Sequence, residues 1–159
     1  MKHVIITMSL SQWQAIRIGK KTYECRKNYP RIPAFNGRVY VVLKGTNHVA
    51  GYFTLDTVIA SSDARLLWFS LGEYLAIDED CFVNYAASAK GLLYLWHIHQ
   101  VYSYHGHIDL EEYFAVKHKP KSFIYTNKEP QIYSWFDKGV NTPGYLRDCD
   151  VILQVQHIV

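Results

Sequence analysis

Cysteine, methionine and proline are scarce in this 159-residue chain, at three, two and five residues. Cys25, Cys81 and Cys149 are widely spaced and form no CxxC pair, which argues against a disulfide framework and suits a reducing compartment. Apolar runs are short, and none approaches the ~20 residues that a membrane helix needs. The first eight residues, Met1 to Met8, read as a strand rather than a signal peptide, so the expected location is cytoplasmic and no membrane partner is expected. No GxGxxG fingerprint, phosphate-binding glycine loop or Ser-His-Asp order occurs. Internal repeats and low-complexity tracts are absent too. Charged residues make up only 19% against 49% hydrophobic, the balance of a globular chain and not of a disordered one. The length suits one domain, residues 1–159, able to bury a core without metals or disulfides.

What the chain does have is tyrosine, thirteen residues in an aromatic share of 15%. Tyrosine is both a strand former and a stacking surface. The net charge of +3 is modest but unevenly spread. Residues 17–38 hold Arg17, Lys20, Lys21, Arg26, Lys27, Arg31 and Arg38, with Glu24 as the one acid. Residues 115–128 hold Lys117, Lys119, Lys121 and Lys128 and no acid. If folding joins these two stretches, they make a surface for an anionic partner.

Periodicity gives the elements. His3–Met8 reads as a buried strand. Ser9 caps a helix, with Gln12 completing a capping box and Leu10, Trp13 and Ile16 on its inner face. Pro30, Pro33 and the pair Asn36-Gly37 mark a loop, in which Tyr29, Arg31 and Phe35 interleave charge with aromatic surface. Strands follow at 38–43 and 49–60. Residues 62–90 read as a helical insertion: a first helix capped by Ser62, with Leu66, Leu67, Phe69 and Tyr74 inward and Gly72 weakening it, then a second starting at Asp78. Residues 92–104 form the longest strand signal, with Tyr94, Trp96, Ile98 and Tyr102 on one face. Asp109 caps a short helix over 110–114, Ser122–Tyr125 is a short strand, 131–138 is helical, and 150–159 closes the chain as a strand.

The stretch Gly19-Lys20-Lys21-Thr22-Tyr23-Glu24-Cys25-Arg26 joins the first helix to a strand. Gly19 suits the left-handed residue after a helix, and the lysines meet its negative end. In the strand, Glu24 and Arg26 share a face, about 7 Å apart along it. The spacing G-x-K-x-x-E-x-R, with the preceding helix and the two following strands, resembles the signature of ASCH domains, small β-barrels related to PUA domains. Leu110-Glu-Glu-Tyr113 followed by Pro120-Lys-Ser122 resembles the later part of longer members. The resemblance covers about residues 3–126, and about 127–159 form an extension that it leaves unmatched.

The resemblance implies a mixed α/β (α+β), mostly antiparallel PUA-like barrel with flanking helices. Lys21, Glu24 and Arg26 would line its mouth, with Ser122 and Tyr125 opposite. An ammonium and a guanidinium can hold a phosphate there while a carboxylate accepts from a base or ribose. The expected partner is single-stranded RNA or a modified nucleoside or nucleotide, met by Lys21, Glu24, Arg26, Tyr23, Lys27, Arg31, Lys119, Lys121 and Tyr125. The alternative is an enzyme at the same cleft, either a nucleoside hydrolase or a ribonuclease. One branch of the superfamily resembles acetylcytidine amidohydrolases, which place a threonine where this chain has Glu24, so that activity is not carried over. Another resembles metal-dependent ribonucleases using lysine, tyrosine and serine. Lys21 and Ser122 match two of these, Tyr23 and Tyr125 both suit the third, and a divalent metal would be the cofactor.

A rival site is written in histidine. His97 and His99 are two apart on one strand face, and His105 and His107 repeat the spacing. Such pairs can hold zinc when a carboxylate such as Asp109 or Glu111 completes the set. That reading makes a metal-stabilised regulatory or interaction protein.

Overall fold

The structure is a computed structural model and describes residues 1–142 and 151–158. Its elements are β1 (His3–Met8), α1 (Leu10–Arg17), β2 (Tyr23–Arg26), β3 (Arg38–Leu43), β4 (Val49–Ser61), α2 (Ala64–Leu71), a single 3-10 turn (Gly72–Tyr74), α3 (Glu79–Ala87), β5 (Leu93–Tyr104), α4 (Leu110–Phe114), β6 (Phe123–Thr126), β7 (Ser134–Gly139) and β8 (Gln154–His157). The described strands form one sheet in the order β2-β5-β4-β3-β1-β6, with β7 added to β5 and β8 to β4. Pairing is antiparallel except for β1 with β3 and β4 with β8. The result is a mixed α/β fold with a curled, half-barrel sheet, as the PUA-like expectation requires.

The two long strands organise the sheet by changing partners midway. β4 pairs with β3 through Val49–Thr54 and with β8 through Thr57–Ala60. β5 pairs with β2 through Tyr94–His97 and with β7 through Gln100–Tyr104. Between the halves the register slips twice, as Phe53 faces Val101, Leu55 faces Ile98 and Thr57 faces His97. These opposed bulges bend the pair into a corner and exchange the faces beyond it. Val101 therefore joins Trp96 and Ile98 in the main core, and Tyr102, expected on that face, stacks on Tyr52 outside it.

The main core fills the curl with Val4, Ile6, Trp13, Ile16, Phe53, Leu55, Val58 and Trp96. A second cluster of Ile5, Tyr40, Val42, Tyr104 and Phe114 lies beneath α4. A third, of Leu67, Leu75, Phe82, Leu93 and Leu95, lies beneath α2 and α3.

Several local expectations need correction. Ser9 does cap α1, accepting from Gln12 N at 3.3 Å. Gln12, however, turns its amide to Ala76 O at 2.7 Å and so completes no capping box. Ala15 joins Trp13 and Ile16 on the buried arc, while Leu10 falls on the far side of Trp13 and is exposed. In α2 Leu67 is buried and Ala64, Trp68 and Leu71 are half-buried beside it, a stripe at i, i+3, i+4 and i+7, and the helix is capped by Asp63 and not by Ser62. Leu66 lies off that stripe and is half-buried, whereas Phe69 is 92% exposed and Tyr74, also expected inward, is 41% exposed. Residues 134–139 form a strand where a helix was expected. The free upper edge of β5 offers backbone partners that outweigh local helix preference, and Trp135 and Phe136 suit a strand. The final strand is shorter than its expected span of 150–159, running Gln154–His157. Cys25 and Cys81 are free thiols, and Cys149 lies outside the described residues.

Candidate functional site

The turn after α1 sets the position of Lys21. Gly19 adopts φ +81°, and any Cβ there would also collide with the Lys138 side chain. Lys21 N then bonds back to Ala15 O at 3.0 Å, which folds the side chain inward beneath the helix. Lys21 is only 4% exposed. Its Nζ donates to Leu75 O at 2.8 Å and lies 3.2 Å from Glu24 Oε2. Arg26 completes the group from two residues along β2. Its Nε donates to Glu24 Oε1 at 2.7 Å, Nη2 to Thr7 O at 3.2 Å and Nη1 to Ser122 O at 3.4 Å.

Glu24 is thus a buried carboxylate between two cations. Burial pushes its carboxyl up, but the charges and hydrogen bonds of Lys21 and Arg26 outweigh burial and hold it below the ordinary value. The three side chains satisfy one another and tie β2 to β1, to the approach to β6 and to the segment after α2. Thr22 N to Tyr74 O and Gln12 Nε2 to Ala76 O strap the same 74–76 segment over Lys21.

The other face of β2 is apolar. Tyr23 packs on His97 and Tyr74, with centroids 4.7 and 6.4 Å apart. Burial, followed by the charge of Asp56, raises its hydroxyl pKa. Burial likewise pushes the Cys25 thiol up to about 12, which disfavours the reactive thiolate.

Beyond Arg26 the two basic stretches meet. The Ser122 hydroxyl lies 3.2 Å from Asn28 Oδ1, and Arg31 N donates to the Tyr125 hydroxyl at 3.0 Å. Lys27, Arg31, Lys119 and Lys121 are all exposed around this junction. Arg31, Lys119 and Lys121 pair with no carboxylate among the described residues. Lys27 reaches Ser88 Oγ at 2.5 Å and sits 4.8 Å from the Tyr85 ring. Two depressions border the junction. One, of about 590 Å³, is lined by Lys27, Ser88, Lys90, Leu92 and Tyr94. The other, of about 610 Å³, includes Lys2, Tyr125 and Lys128, with the Lys2 ammonium 3.8 Å from the Tyr125 ring centre. Tyr29 and Tyr94 add an aromatic pair at 5.1 Å. Asn28, Lys90 and Ser88 escaped the sequence reading. Asn28 alone left a signal, as a polar residue between Lys27 and Tyr29 at the loop start.

The histidines occupy the corner of the sheet. His97 Nδ1 is 2.7 Å from Asp56 Oδ1, and His99 Nδ1 is 3.7 Å from Asp56 Oδ2. His99 Nε2 meets Thr142 Oγ1 at 2.5 Å. Burial lowers the His99 pKa; Asp56 opposes this and His97 adds to it. The carboxylates expected to complete a metal set lie elsewhere: Asp109 caps α4 through Glu111 N and Glu112 N, and Glu111 is exposed on that helix. His107 stacks on His48, and His105 packs on Tyr133 and Trp135. Among the described residues, no group of three His, Cys, Asp or Glu side chains is arranged to hold a metal ion. Asp56 was missed, although an acid inside the apolar run 49–61 was its signal.

Comparison with solved structures places this architecture. The crystal structure of ASCH from Zymomonas mobilis superposes with a TM-score of 0.68 at 22% identity, covering 79% of this chain and 88% of that one. A variant of that protein with tyrosine replaced by phenylalanine gives 0.66 at 24% identity, over 80% and 92% of the two chains. The fold is that of an ASCH domain. A variant with serine replaced by alanine superposes equally well, at 0.68 and 22% identity, over 79% and 89%. No family model matches the chain, and no curated protein matches it. At these identities the ASCH likeness speaks for the fold and leaves the chemistry to the residues.

Proposed function

We propose that this ASCH-fold protein binds single-stranded RNA, or a nucleotide derived from it, across the junction of its two basic loops. One observation carries the reading. Residues 94 positions apart meet at Asn28–Ser122 and Arg31–Tyr125, so two basic stretches, holding between them the single acid Glu24, become one face. Arg31, Lys119 and Lys121 supply charge for phosphates, and Tyr125 and the Tyr29–Tyr94 pair supply ring surface for bases.

Cleavage at the same place has less support. A lysine acting as base needs a free Nζ, and that of Lys21 is occupied by Leu75 O and Glu24. Ser122 and a divalent metal would still have to be brought to it.

Anisotropy of a labelled RNA 12-mer at low salt, about 50 mM, tests the proposal, since electrostatic binding is strongest there. The Lys119→Glu/Lys121→Glu variant should lose most of the binding and keep its melting temperature. Unchanged binding overturns the reading. The same samples run on a gel test cleavage, which an enzyme would show and both Lys21→Ala and Ser122→Ala would abolish.

A further inference from the structure

Apart from Tyr85 and Ser88 at its end, which meet Lys27, the segment between β4 and β5 carries the opposite charge and a large apolar surface. Residues 62–89 hold Asp63, Glu73, Asp78, Glu79 and Asp80 against Arg65 alone, within a chain whose net charge is +3. All five acids are exposed. Between α2 and α3 runs a groove of about 500 Å³, with Trp68 and Phe82 in its floor at 5.2 Å between ring centres and with Glu79 and Arg65 both in its lining. Ala64, Ala86 and Ala87 keep its walls low, so another backbone can approach closely. Phe69 and Val83 stand at its edges, 92% and 54% exposed. A second depression, of about 840 Å³ and bordered by Glu73 and Asp78 with Lys20 beside them, shares Trp68 and Phe69 with the first. The two make one channel on either side of the Phe69 ring.

We infer that this channel docks a basic amphipathic helix of a partner protein. An exposed phenylalanine over an aromatic floor is the apolar half of such an interface. The geometry suits an incoming helix whose apolar residues recur at i, i+3, i+4 and i+7. The acids along the rim select the charge of that helix. The five acids outnumber Arg65 and Lys20, which disfavours nucleic acid and anionic lipid. A second copy related by a two-fold axis would bring the same excess of acids to both sides of the interface, which like charge disfavours. Lysine or arginine on the polar side of the incoming helix meets that rim with complementary charge.

The test uses two labelled peptides of about 14 residues, four helical turns, with leucine at i, i+3, i+4 and i+7. One has lysine at the remaining positions and the other glutamate. In roughly physiological salt, where exposed charges are screened beyond about 8 Å, the lysine peptide should bind and the glutamate peptide should not. Phe69→Ser should weaken binding at least about tenfold, as loss of a central anchor does. Glu79→Lys with Asp80→Lys should weaken it as well. Phe69 is exposed, so its variant should keep the wild-type melting temperature and RNA affinity. Three results overturn the inference: neither peptide binds, the lysine peptide binds Phe69→Ser unchanged, or the protein itself dimerises through Phe69 in light scattering.

Discussion

Lys21 and Lys121 are both lysines of basic stretches, and the structure treats them in opposite ways. Lys21 is buried, bonded to a carbonyl and held by Glu24, which Arg26 grips from the other side. Lys121 is exposed on a loop, with no carboxylate partner among the described residues. The Lys21–Glu24–Arg26 group spends its charges on one another and most of its hydrogen bonds inside the fold, so it acts as a fastener. The loop lysines keep theirs for an outside anion. A charge-rich motif is therefore not in itself a binding site; what matters is whether its charges are already spent on one another.

Breaking the fastener gives the largest expected effect. Glu24→Ala leaves two cations near Thr7 O and Leu75 O without a counter-charge. Removing one partner of a buried ionic group typically costs about 3–5 kcal/mol. Urea denaturation should show a loss of that order, while the folded fraction keeps its affinity for RNA. A change within ~0.5 kcal/mol, the usual range for a surface substitution, would mean that the group holds nothing together.

The same division between inner and outer charge has a pH signature, centred on His3. This residue is fully buried. Its Nδ1 accepts from Arg38 N at 2.9 Å, and its Nε2 lies 3.2 Å from Glu129 Oε1. Burial lowers its pKa from 6.5 to about 4; Glu129 opposes the shift and Arg38 adds to it. The folded state thus holds the neutral ring, and the unfolded chain takes up a proton first. Stability from this site should be complete above pH 6.5 and drain away as pH falls toward 4. Glu24, also lowered in the fold, loses its contribution further down, below its ordinary value of 4.5. In denaturation curves measured between pH 7 and pH 4, His3→Gln should flatten the upper part of the decline. An identical slope in the variant would remove His3 as its source.

Much of this arrangement could be read in the sequence, and the parts that could not share a cause. Strands β1 and β3, the Ser9 cap and the break at Gly72 follow from local chemistry: apolar runs, a hydroxyl before a helix, a residue with no side chain. The eleven clustered basic residues were visible too. Their meeting was not, because Asn28–Ser122 and Arg31–Tyr125 join residues that only the sheet order brings together. Burial of Lys21 was hidden for a similar reason, since its cover, Leu75 O, belongs to a backbone 54 residues away. The bulges near Asp56 and His99 exchanged the faces of β5, which a strict period of two cannot anticipate. Strand β7 was missed because its stability comes from the edge it completes.

The smallest expected effect is the most discriminating between the two kinds of lysine. Each lysine that touches a phosphate releases a counterion, so the logarithm of affinity falls with the logarithm of salt by about 0.7 per contact on a single strand. Lys119→Gln and Lys121→Gln should each make that slope shallower by roughly this amount and leave stability within ~0.5 kcal/mol. Lys21→Gln should behave in the reverse manner, lowering the urea midpoint while the slope for the folded protein stays put, because a buried Nζ bonded to Leu75 O touches no phosphate and releases no counterion. Measured together, the three slopes separate charge held for the fold from charge held for a ligand. A shallower slope for Lys21→Gln would place that lysine on the binding face, and with it the cleft chemistry that its burial argues against.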